Sequence, residues 1–223
     1  MQKALIILFI PFCLISQNTV CFEIEQNNSG IQVLNLFPKY VNVLDCIHIY
    51  AEQSISDSKV LHAAAIAAEL LDNDEDGIVD DENVKNELMG LYTIMPLFAY
   101  EGSNAEDILF NNFEDLKENN NFCAGAVLYN NEIDPYSPGF WGNDASVEEV
   151  LHTINSCSHI EIYPDVFGLE PNSSQMSDAM DVARGGQFLT IPNNYPEEGW
   201  YHYDDWTCDY QCMAMEYLYW CIV

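Results

Sequence analysis

The sequence predicts an α+β fold, helix-rich, in a single disulfide-stabilised globular domain. Three observations predict it. Apolar residues at helical spacing fill several long stretches, while β-branched runs are few and short. The chain is 49% hydrophobic, the composition of a folded protein. Of its 8 cysteines, Cys13 and Cys21 lie in a leader-like start, which leaves an even set at 46, 123, 157, 208, 212 and 221.

The chain begins Met1-Gln2-Lys3, runs apolar from Ala4 to Ile15 and turns polar before Val20-Cys21. That is the pattern of a secretory signal peptide over 1–21, too short for a span. Residues 22–223 then form one domain, expected to be secreted, with no membrane span in the mature form. Secretion places the cysteines in an oxidising route, where disulfides form. Asn27-Asn28-Ser29 and Asn172-Ser173-Ser174 are glycosylation sequons. The net charge of −30, with only six Lys and Arg, excludes nucleic acid as a partner and favours cations.

In chain order, Tyr40–Tyr50 alternates β-branched and aromatic residues and predicts a strand or strand pair. Residues 58–71 carry apolar positions at Val60, Leu61, Ala64, Ala68 and Leu71, a helical spacing. A second helix is expected from Asp81 to Leu91. Pro96 limits Tyr92–Tyr100 to a buried loop or a strand edge. Asn104–Lys117 reads as a helix, Phe122–Tyr129 as a buried strand and Asn130–Trp141 as a loop. Helices are expected at Val147–Asn155, Gln175–Arg184 (stopped by Gly185-Gly186) and Asp209–Cys221, with an aromatic-rich loop over Pro192–Asp205.

Between the first two helices lies Asp72-Asn73-Asp74-Glu75-Asp76-Gly77-Ile78-Val79-Asp80. Carboxylates at loop positions 1, 3 and 5, with Gly at 6, suit a hard calcium ion. Asp72, Asp74 and Asp76 supply the side-chain oxygens, Ile78 its backbone carbonyl, and Asp80 a direct or water-mediated ligand. The segment 58–91 resembles the EF-hand and dockerin-type calcium loops. It departs from them at position 12, which is Asn83 where an EF-hand has Glu; Asp81 and Glu82 stand nearby as substitutes. The resemblance implies a structural extracellular calcium site within a helix–loop–helix unit. An acidic inter-helix loop without an ion is the plainer alternative.

The helix at 147–155 carries Glu148-Glu149-x-x-His152. This resembles the HExxH helix of zincin metallopeptidases, with Glu in place of the first His. The resemblance implies zinc held by Glu148 and His152, Glu149 as the base, and a third ligand downstream. In the gluzincin branch that ligand is a Glu on a later helix, the place of Glu216; the acidic residue usual four positions on is here Trp220. His159 and His202 are the alternative third ligands. The same residues also have a structural reading. Glu149 would complete a capping box with Ser146, Glu148 would favour the helix dipole, and His152 would be an ordinary hydrogen-bonded histidine.

Arg184 is the only arginine, expected to pair with Asp178 or Asp181. The aromatics of Gly199–Trp206 line a cleft or cover a core. His48 and His62 receive no role. Two functions stay open: a secreted calcium-binding protein with a zincin-like peptidase centre, or a non-catalytic extracellular binding or coat protein with a peptide or carbohydrate ligand.

Overall fold

The computed structural model describes residues 22–137 and 144–223. The expected leader, 1–21, and the end of the expected loop 130–141 lie outside the described residues. The order of elements is β1 (Glu25–Gln26), β2 (Lys39–Val43), β3 (Ile47–Ala51), α1 (Asp57–Leu71), α2 (Glu82–Gly90), β4 (Tyr92–Phe98), α3 (Asn104–Asn111), α4 (Phe113–Asn120), β5 (Phe122–Cys123), β6 (Leu128–Tyr129), α5 (Ser146–Ile154), α6 (Ile160–Ile162), α7 (Pro164–Phe167), α8 (Gln175–Arg184) and α9 (Tyr210–Ile222). A π turn over Asn155–His159 joins α5 to α6. Short 3-10 turns precede β2 and follow β6.

The strands form one mixed sheet in the order β1-β2-β3-β4-β5, with β6 also pairing β4. β2 and β3 are an antiparallel hairpin through Val43↔Ile47, and its tight turn holds Leu44 and Asp45 at positive φ. β3 and β4 pair parallel, His48 opposite Ile94. The parallel pairing needs a crossover, which α1 and α2 supply.

Side chains alternate across the sheet, so each strand feeds two cores. Ile47, Ile49, Met95 and Leu97 face a cluster completed by α1 (Val60, Ala64, Ala67) and by Val150 and Ile154 of α5. Tyr50, Ile94 and Phe98 face a second cluster with Leu34, Leu109 and Leu116. Each fully buried Leu or Ile here stabilises the fold by about 1.5–3 kcal/mol. A third cluster joins α8 to α9 through Met180, Ala183, Met213 and Ala214.

Pro96 does not confine its segment to an edge. β4 lies inside the sheet, and Pro96 sits opposite Tyr50 in it. The reason is its direction. Glu52 N donates to Leu97 O at 3.1 Å, and Tyr92 N donates to Asn121 O at 2.9 Å. Odd-numbered residues of β4 therefore turn their backbone groups to β3, and even-numbered ones, Pro96 included, to the opposite flank. On that flank β5 pairs only Tyr92 and Thr93, and β6 only Leu97 and Phe98. The missing N–H of Pro96 falls in the gap. The expected strand 122–129 is accordingly split, and residues 124–127 leave the ladder. The expected helix 104–117 is split at Asn112.

The expected single disulfide-stabilised domain is corrected in its disulfide content. The domain is α+β and helix-rich, with two disulfides among the described residues, Cys123–Cys157 and Cys208–Cys212. Cys46 is buried in the sheet core and Cys221 is exposed, both as free thiols, and they lie in different parts of the fold. Cys208–Cys212 spans the N-terminus of α9, since Cys208 precedes the helix instead of lying on its face. No helix among the described residues is long and apolar enough to cross a membrane.

Candidate metal centre

Val147, Val150, Leu151 and Ile154 make α5 amphipathic, and its apolar side packs onto the sheet and α1. The expected capping box is absent. The N-cap is Ala145, with no side-chain cap, and Ser146 is fully buried. Ser146 instead donates from Oγ to Asp144 Oδ1 at 2.7 Å, and the same oxygen accepts Ser146 N at 3.3 Å. Asp144 Oδ2 pairs with His62 Nε2 at 2.8 Å. His62, given no role from sequence, thus anchors the start of the helix. Nothing in its spacing signals a partner 82 residues away.

Glu149, released from capping, turns towards His152, with Oε2 3.5 Å from Nδ1. The polar stripe Glu148, His152, Asn155 faces α9. Asn155 Nδ2 donates to Met215 Sδ at 3.0 Å. Asp209 caps α9 by accepting Cys212 N at 3.0 Å, and the helix presents Glu216 to the stripe. One ligand atom each from Glu148, His152 and Glu216 lies within 4.8 Å of the others. Ligand atoms around zinc stand about 2 Å from the ion, so side-chain adjustments of about 1 Å would close the set.

The charge balance of this triad is unusual. His152 is 9% exposed, and its Nε2 is buried with no hydrogen-bond partner. A buried polar atom without a partner demands a reason. Burial and the neighbouring Glu216 and Glu149 push the Glu148 carboxyl up to about 7. Glu216 is raised as well by burial, against the pull of His152. For His152 burial acts downwards, but Glu149, Glu216 and Glu148 outweigh it and raise the imidazole. Three carboxylates thus crowd one imidazole, a donor set that a divalent cation would satisfy.

Tyrosines close the rest of the shell. Tyr203 reaches Glu216 with its hydroxyl. Tyr201 keeps a buried hydroxyl with no partner, in the field of Glu216. Tyr219 sets its ring edge to His152 at 6.5 Å. Tyr201 and Tyr203 belong to the aromatic loop, whose composition left a cleft lining and a core cover both open. Trp200 and Trp206 of that loop are 72% and 80% exposed. Trp220 lies edge-to-face with Tyr219 at 5.4 Å.

The alternative third ligands are engaged elsewhere. His159 stacks on Phe167 at 4.8 Å and meets Asn155 Oδ1 at 3.2 Å. His202 stacks on Tyr195 at 4.5 Å, near Gly199 O. Arg184 is fully buried, pairs Nη2 with Asp181 Oδ1 at 2.8 Å and lies over the Tyr210 ring. It is a core cation.

The acidic loop gathers a second set. Ligand atoms of Asp72, Asp74 and Asp80 lie within 4.8 Å of one another. Gly77, at φ +86°, makes the turn, and Val79 is buried in the main core. Asp72 accepts Asp76 N at 3.1 Å and Gly77 N at 2.7 Å. Asp76 stays outside the set and accepts Ile78 N at 2.9 Å. The Ile78 side chain is 62% exposed. Asp76 beside it pushes Asp74 up. Of the substitutes for position 12, Asp81 caps α2 and accepts Tyr163 OH at 2.8 Å, and Glu82 lies in the first turn of that helix; Asn83, at position 12 itself, donates to the same hydroxyl at 3.0 Å.

No family model, curated protein or solved structure matches this chain. The two clusters therefore stand on their own geometry, as groups able to coordinate metal ions.

A cleft of about 380 Å³ opens beside Glu149 and His152. Its opposite wall is the segment 124–127 that left the sheet. Gly125 presses this wall onto α5, since an added Cβ would stand 2.7 Å from His152 O and Thr153 Cα. Cys123–Cys157 fastens the same wall to the π turn.

Proposed function

We propose that the protein is a secreted, metal-dependent peptidase of zincin-like design, with zinc at Glu148, His152 and Glu216 and a structural calcium ion in the 72–80 loop. Two observations together carry the reading: His152 keeps a buried, unpartnered Nε2, and one of its ring nitrogens lies within 4.8 Å of carboxylate oxygens from two helices. Zinc would supply Lewis acidity to a peptide carbonyl and to water. Glu149 takes a proton from the attacking water and passes it to the leaving amine, so that the water oxygen joins carbon as the C–N bond breaks. Tyr201, whose buried hydroxyl has no partner, would donate to the carbonyl oxygen as charge develops there. The disulfides support work outside the cell, where calcium is also abundant.

Zinc titration by competition with a chromophoric chelator, paired with cleavage of a fluorogenic peptide pool, tests this. His152→Ala is expected to lose zinc and activity together, and Glu149→Gln to keep zinc and lose activity. Native protein that takes up no zinc and cleaves nothing in its presence sinks the reading. A second reading, a non-catalytic binding protein, draws on the exposed indoles of Trp200 and Trp206.

A further inference from the structure

We infer that the cleft beside Glu149 receives a basic side chain, so that the substrates of the proposed centre are cationic peptides. This rests on the peptidase reading and adds the substrate class. The cleft has an apolar body, formed by Phe110, Phe113 and Val127. Its charged and titratable lining is Glu132, Glu149 and His152, and no lysine or arginine joins them. His152 is the imidazole assigned to the metal, which leaves the two carboxylates as the acceptors of the slot. Tyr129, also in the wall, spends its hydroxyl proton on Glu106 Oε1 at 2.6 Å. Glu132 Oε2 accepts Tyr129 N at 3.2 Å, which fixes the carboxylate in the wall and leaves it lone pairs to spare.

An apolar slot with carboxylates in its lining matches the anatomy of lysine and arginine, an aliphatic stem with a donor head. An acidic side chain would face both Glu132 and Glu149. A purely apolar one would desolvate Glu132 without a partner. Burial raises the Glu132 carboxyl against the pull of the Tyr129 N–H, and Glu149 adds to the rise.

The test uses the full, zinc-loaded chain bearing Glu149→Gln, so that peptides stay intact. Acetyl-Ala-Ala-X-Ala-Ala-amide peptides with X as Lys, Leu or Glu are titrated by fluorescence anisotropy. The Lys peptide is expected to bind about tenfold tighter than the Leu peptide, and the Glu peptide weakest. Adding Glu132→Gln, whose amide oxygen still accepts the Tyr129 N–H, is expected to bring Lys and Leu within about twofold. Equal Lys and Leu binding at the start overturns the inference. So does a preference that survives Glu132→Gln, because the diffuse field of the −30 chain would then explain it. Zinc content is read separately by equilibrium dialysis. A Glu132-dependent Lys preference without zinc uptake defeats the peptidase reading and leaves the slot standing.

Discussion

Glu216→Gln is expected to change stability in opposite directions with and without zinc. The Glu148 carboxyl moves from its ordinary 4.5 to about 7 on folding, first through burial and next through Glu216. A raised folded value means that the contribution is present below about pH 4.5 and is lost as pH rises through about 7. The full gap corresponds to about 3 kcal/mol at ~1.4 kcal/mol per pH unit. Glu148 is only half-buried and Glu216 is its second cause, so screening reduces the part due to Glu216 to about 1 kcal/mol. In chelator at pH 8, Glu216→Gln should therefore stabilise the protein by about 1 kcal/mol, and at pH 5 the gain should vanish. With zinc the sign reverses. A hundredfold loss of affinity removes about 2–3 kcal/mol of ligand-linked stability. Urea unfolding followed by tryptophan fluorescence reads both conditions. An equal loss in zinc and in chelator would refute the reasoning, because Glu216 would then be a packing residue.

Three further outcomes follow from the geometry. Asp74→Ala should lower the melting temperature in calcium and leave it unchanged in chelator; an equal drop in both would show that the loop holds no ion. Replacing Cys123 and Cys157 together by Ser opens a link of 34 residues and should cost about 3–4 kcal/mol in chemical denaturation. The same change should also slow peptide cleavage, by loosening the cleft wall. Gly125→Ala should raise KM, since its Cβ meets the α5 backbone at His152 and Thr153; unchanged kinetics would place the substrate elsewhere.

Much of the fold was legible because periodicity reports one-sided burial. α1, α2 and α8 begin and end within about two residues of their expected bounds. The misses have physical causes. The Ser146–Glu149 spacing matches a capping box, but Asp144, outside the motif, takes the Ser146 hydroxyl. Pro96 argues for an edge only when its nitrogen faces a neighbouring strand, which depends on long-range pairing. Glu216 was reachable because it lies on a helix downstream of the Glu148–His152 helix. Tyr201, Tyr203 and His62 were not, since no local pattern states which distant group they meet. An even cysteine count allowed three bridges, yet Cys46 is sealed in the sheet core, away from Cys221.

The proline of β4 has a consequence for the shape of the molecule. A ladder that continued past Thr93 would draw the chain at 124–127 flat against β4. The apolar slot could not then exist. Pro96 lies where those four residues leave the sheet, and a disulfide and a glycine hold them against the helix instead. The opening through which a substrate would enter is thus framed by a vacancy in the hydrogen-bond pattern, three strand positions beyond the last residue that β5 pairs.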